Sequence, residues 1–222
     1  MFKKVLSLVI LLVLLSSCYT HKIYLNADKK SGKMIIDYTL DNDYLSILST
    51  ALSSIQTAND NQEPLDPNIL IDPDLFKKQF SKSKDLKLTA LSITKSNGYK
   101  GHIEITFTDF EKALKQLPEN MININIVRTS SSLTVSQTLN LSKLDKQGVL
   151  LDFLNQQKED DIALYNKLTK QAFFQFEIYT PTVIKSAEGV TLSSDKKKAT
   201  YTFKLNDLLV NKDKDIKFLI SF

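Results

Sequence analysis

The chain has 222 residues, a hydrophobic share of 42% and a formal net charge of +4, and its basic charge is almost entirely lysine. Length and apolar content suffice for a packed core, while few glycines and prolines argue against a fibrous or disordered chain. The near-balanced charge, with no basic stretch interleaved with stacking aromatics, argues against nucleic acid, and Arg128 as the lone arginine offers no bidentate phosphate clamp. Cys18 is the only cysteine, which excludes an intramolecular disulfide, a multi-cysteine zinc site and a CxxC redox pair.

The first eighteen residues read MFKKVLSLVILLVLLSSC. Lys3 and Lys4 give a short cationic start, Val5 to Leu15 is almost unbroken apolar sequence, and Leu15-Ser16-Ser17-Cys18 closes it with small residues. The apolar run is about half of the ~20 residues that a membrane-spanning helix needs, which suits a cleaved export signal. The stretch closely resembles a bacterial lipoprotein signal peptide with its lipobox. That resemblance implies cleavage between Ser17 and Cys18, a diacylglyceryl group on the Cys18 sulfur and an acyl chain such as palmitate on its new amino group. Losing residues 1–17 removes Lys3 and Lys4 and lowers the net charge to +2. Two or three chains on one residue hold firmly, at ~0.8 kcal/mol per buried methylene. Tyr19 stands where many enteric lipoproteins retained at the inner membrane carry aspartate, so the family pattern leans towards an outer membrane or cell surface. That sorting rule varies between bacteria and leaves the leaflet open.

Residues 18–22 read as a short lipidated tether, and 23–222 as a single domain with a possible subdivision near 118–121. Ile23, Leu25 and Ala27 alternate with polar residues, Lys29 to Lys33 reads as a turn, and Met34, Ile36, Tyr38 and Leu40 alternate again, which predicts a hairpin. A capped amphipathic helix is expected from about Asp41 to Ile55, then a proline-rich connection over 57–74 and a short helix opening at Asp72-Pro73. Leu86 to Ile93 and Gly101 to Phe107 pair around Asn97-Gly98, a hairpin-turn signal. Thr108 to Glu111 has capping-box spacing and opens a helix ended by Pro118. Ile122 to Ile126 and Leu133 to Leu141 are strands, and helical periodicity runs from Lys143 to about Lys170 in two pieces divided near Gly148 and the polar 156–161 stretch. Phe174 to Ile178, Ala199 to Leu205 and Ile216 to Phe222 complete the strands.

This order predicts an α+β fold: a mainly antiparallel sheet with helices packed on one face, in two layers. Phe174, Phe176, Pro181, Glu188-Gly189, Tyr201 and Phe203 also resemble the end of the LppM-type lipoprotein domain. That resemblance implies a lipid-anchored α+β domain with no catalytic residue to carry over.

Candidate chemistry is sparse. His21 falls in the tether, where it is expected to be solvated, and His102 shares a strand face with Glu104 but lacks zinc-ligand or HExxH spacing. No GxSxG elbow and no phosphate-cradling glycine loop occur. The pairs Asp41/Asp43, Asp72/Asp74 and Asp160/Asp161 suit helix starts. No cofactor, metal site or catalytic residue is expected. The leading expectation is a non-catalytic lipoprotein of the bacterial cell membrane or outer membrane, its domain outside the cytoplasm, held by acyl chains on Cys18 and binding a protein or envelope component. The alternative is a carrier of lipid or a small apolar ligand, for which Phe173 to Tyr179 would line a pocket. A dry interior separates the first from the second, and clustering of His102 with distant acids around a cleft would point to an enzyme.

Overall fold

A computed structural model describes residues 18–40, 72–74, 77, 85–95, 98–116, 123–139, 149–166, 169–170 and 173–222. Alternating apolar residues form β1 (Cys18–Leu25), β2 (Gly32–Leu40), β3 (Leu86–Lys95) and β4 (Tyr99–Phe107). After α1 (Phe110–Gln116) come β5 (Asn123–Arg128), β6 (Leu133–Leu139), α2 (Val149–Asp160) and α3 (Ile162–Asn166). The chain then runs through β7 (Phe173–Tyr179), β8 (Ser186–Glu188), β9 (Thr191–Leu192), β10 (Lys198–Lys204), α4 (Leu205–Val210) and β11 (Ile216–Ser221).

The strands build two sheets. Seven follow the order β3-β4-β2-β1-β7-β10-β9, and four follow β5-β6-β11-β8. Neighbours pair antiparallel except β1 and β7, which run parallel with Tyr19 opposite Phe174 and Tyr24 opposite Tyr179. The expected hairpins form, although the first turn falls at residues 26–31. There Asp28 Oδ1 accepts the Lys30 and Ser31 amides at 2.8 and 2.9 Å. Gly98 turns at φ +116°, a conformation that favours glycine. In β4, Gly101 lies under the Tyr38 ring, and a Cβ there would collide with it.

The inner face of the large sheet carries Ile23, Met34, Ile103, Ile105, Phe174, Phe176 and Tyr201, all buried. Against its β7–β10 part packs the second sheet. The Tyr201 and Phe218 rings stack at 3.5 Å between centroids and 12° between planes. Phe222 and Leu133 exchange backbone hydrogen bonds, closing one end of the smaller sheet. The space left around Phe176, Tyr201, Val135 and Phe218 is about 20 Å³, room for one water.

The expected fold of helices packed on one face of an antiparallel sheet is therefore corrected. The described residues hold eleven strands, four short helices and a few further helical residues from Pro73, and the layer packed against the β7–β10 face is a second sheet. The physical reason lies in Val135, Phe218 and Ile220. Their stripe buries against Phe176, Ile178 and Tyr201 instead of extending the same sheet. Helices α2 and α3 keep Asp152, Lys158, Glu159 and Asp160 in solvent, and Ile162 is exposed too. They divide at Asp161, near the expected polar break. Helix α1 is capped by Asp109, whose Oδ1 accepts the Lys112 amide at 3.1 Å, one residue after the expected Thr108. It buries Phe110 and Ala113 at the end of the sheet, where the Phe110 amide donates to Lys30 O.

The two-sheet reading makes Phe218 a keystone residue. Phe218→Ala should lower unfolding free energy by about 3–5 kcal/mol, the usual cost of a deleted core phenylalanine. Urea denaturation checks this, and a loss under ~1 kcal/mol, as at surface sites, would remove the stacked interface as a source of stability.

Candidate functional site

Cys18 opens β1, the fourth strand of the seven-stranded sheet, and pairs with Thr39 of β2. Residues 1–17, including Ser17 of the expected cleavage site, lie outside the described residues, as do Asp41, Asp43 and the possible subdivision near 118–121. The expected tether over residues 18–22 is corrected, because these residues form the first part of a central strand. The correction is largest at His21. Alternation in β1 turns it to the inner face, where it is 1% exposed instead of solvated. Its ring meets Phe176 edge-on at 5.1 Å and Tyr19 at 6.1 Å, and neither nitrogen has a hydrogen-bond partner among the described residues. Burial alone depresses its pKa to about 3.

The outer face of the same sheet is polar. His102 on β4 sits opposite Asp37 on β2, and its Nδ1 lies 2.6 Å from Asp37 Oδ1. Its Nε2 faces Glu104 Oε1 at 3.4 Å, while Lys22 Nζ reaches Asp37 Oδ2 at 3.4 Å. The hydrogen bond from Asp37 is the main cause of a raised His102 pKa, with Glu104 adding to it against partial burial. Asp37 and Glu104 occupy opposite nitrogens, so the three groups do not converge on a common point. Among the described residues no cluster of His, Cys, Asp or Glu is arranged to hold a metal.

Beside this trio lies a groove of about 360 Å³ lined by Asp37, Thr39, Ser92, Thr94, Lys100 and His102. Sequence spacing exposed the His102/Glu104 pair but missed Asp37, which lies 65 residues away and arrives only through β2–β4 pairing. Ser92 sits beside His102 in register, yet the free side of the ring points to Glu104.

A second polar cluster lies two strands away. Glu177 is 5% exposed and accepts from Tyr179 Oη at 2.7 Å, Gln175 Nε2 at 3.0 Å and Lys198 Nζ at 3.1 Å. Burial alone would raise its pKa, but these donors hold it below the usual carboxylate range. Tyr24 stacks on Tyr179 at 4.3 Å, with Lys33 and Lys198 ammonium groups over the two rings. Phe174, Phe176 and Ile178 of the expected pocket-lining strand are buried in packing.

The remaining acidic pairs have local roles. Asp72 Oδ1 accepts the Asp74 amide at 2.8 Å, and Asp161 Oδ1 accepts the Ala163 amide at 3.1 Å, both at helix starts. No helix among the described residues is long and apolar enough to cross a membrane.

His21 sets a pH dependence of stability. Folded, it takes up a proton only near pH 3, against 6.5 as the ordinary value, so between these limits the unfolded chain binds more protons. Stability therefore falls as pH drops below 6.5, by about 2 kcal/mol at pH 5. His102 works in the opposite sense: its raised pKa stabilises the fold at low pH, and this is lost as pH rises through the folded value. In chemical denaturation at pH 7.5 and 5.0, His21→Leu should flatten the loss seen in the parent chain. Parallel losses in the two proteins would show that His21 is not the acid-sensitive group.

No family model matches the chain, and no curated protein matches it. Among solved structures it is similar to the folded domain of Mycobacterium tuberculosis LppM, determined by NMR. The match has a TM-score of 0.45 and 13% identity, and covers 93% of this chain and 88% of that one. At that TM-score and identity the likeness is too loose to transfer strand positions or a role.

Proposed function

We propose that this is a lipid-anchored protein of the bacterial envelope, held by acyl chains on Cys18. In this reading its two-sheet body is a non-catalytic module that binds a protein or envelope component. The observation that carries it is the coincidence at residue 18. The cysteine that ends the lipobox-like sequence is also the first residue of the central strand β1. Cleavage before Cys18 would keep every described residue of the sheet and put the acyl chains directly on the start of β1.

Two features favour a surface partner over an enclosed apolar ligand. The space around Phe176, Tyr201, Val135 and Phe218, where the sheets meet, is about 20 Å³, whereas small-molecule pockets run to roughly 300–1,000 Å³. The polar groove, by contrast, opens on the outer face and includes Thr39, the register partner of Cys18. The non-catalytic reading rests on His102, whose two nitrogens both face carboxylates, so neither is offered to a hydroxyl nucleophile as a general base requires.

The test has two arms in intact cells. Cys18→Ser should abolish incorporation of labelled palmitate and move the protein out of the detergent phase. Persistent acylation and membrane sedimentation of that variant would overturn the anchor. A photo-crosslinker at Thr94, in the groove, should then capture a discrete partner that one at Lys217, on the second sheet, does not. Identical adducts from both positions would remove the groove as the binding surface.

A further inference from the structure

The topology brings a second apolar feature to the end of the molecule that holds Cys18. Tyr19 pairs with Phe174 and Lys204 with Phe173, so β10 finishes level with the start of β1. The two ends are two strand spacings apart, ~10 Å. Strand β11 then leaves in the opposite direction. Phe218 stacks on Tyr201, and Phe222 O accepts from Lys29 Nζ at 3.1 Å beside the β1–β2 turn, at the far end of β1. Residues 205–215 therefore cross from one sheet to the other at the Cys18 end.

Within that crossing, Val210 closes α4 and is 73% exposed, more than Val127, Ile162 or Val183. It is held firmly. Asp207 Oδ2 accepts the Lys204 amide at 2.8 Å, and Asp207 O accepts Asn211 Nδ2 at 3.0 Å, which pins both ends of the helix. Lys212 and Lys214 follow it in solvent, interspersed with Asp213 and Asp215. Their stems can lie along an apolar surface while the ammonium groups stay in water. The alternating signs make this an apolar contact, not one that depends on anionic lipid.

We propose that Val210 and the α4–β11 turn form a second membrane contact, dipping into the headgroup layer of the bilayer that holds Cys18. This rests on the anchor reading, since acyl chains on Cys18 bring that end of the sheet to the lipid. One anchored point leaves a rigid body free to tilt, and a second apolar point beside it fixes the tilt, with the polar groove close to the membrane surface.

The chain's single cysteine makes the test direct, because acylated Cys18 leaves an introduced thiol as the only one to label. The lipidated full protein carrying Val210→Cys, labelled with an environment-sensitive fluorophore, is reconstituted into phosphatidylcholine vesicles containing a headgroup-level spin-labelled lipid. A matched protein carrying Ser194→Cys, in the β9–β10 turn at the opposite end, is the control. The Val210 label should be blue-shifted and quenched, and the Ser194 label should stay as in water. Equal quenching at both positions, or none at Val210, in protein whose mass shows acylation overturns the second contact and leaves the anchor standing. Protein that carries no acyl mass and does not float with vesicles overturns the anchor reading and this inference with it.

Discussion

The parallel seam between β1 and β7 holds the molecule together. It joins residues 155 positions apart and is closed on both faces by stacked rings. Tyr19 lies on Phe174 at 4.8 Å inside, and Tyr24 lies on Tyr179 at 4.3 Å outside. Without it, the β1–β4 group and the β7, β10 and β9 group are separate antiparallel sheets with a free edge each. Parallel pairing needs a long crossover, and here residues 26–172 supply it. Such a contact closes a very large loop, so it forms against substantial chain entropy and needs the aromatic overlap on both sides.

The seam also fixes the environment of His21. An imidazole whose two nitrogens find no partner among the described residues is costly to bury, and apolar packing around β1 and β7 must outweigh that cost. The same packing favours the neutral imidazole, so acid destabilises the centre of the sheet. Glu177 in β7 shows the contrasting solution. It has almost no solvent access, yet three donors satisfy it and it keeps its charge. One strand thus packs its inner face with Phe174 and Phe176 and supports a connected polar network on the other.

From this arrangement the two ends of the large sheet acquire different characters. The β1–β2 turn is tied down by Arg128, which donates to Lys29 O at 2.7 Å, and by Lys29, which donates to the last residue. The opposite end carries Cys18, Thr39 of the groove and the exposed Val210. A body anchored at that end presents its polar face beside the membrane and its tied-down turns away from it.

Much of this was legible in the letters. The period-two alternation of Met34 to Leu40, of Ile103 to Phe107 and of Phe174 to Ile178 is local, and so is the Gly98 turn, because each is decided by a residue's immediate neighbours. The helical break at Asp161 and the caps at Asp72 and Asp161 were legible for the same reason. By itself the sequence determined the lone cysteine, the lipobox-like run before it and the sparsity of catalytic side chains. Tertiary structure alone decided that β1 pairs with β7, that Phe218 faces Tyr201 across two sheets, that His21 is buried and that Asp37 joins His102. Alternation says that a strand has an apolar face but not what covers it, and pairing between distant strands depends on shape and packing that no local window contains.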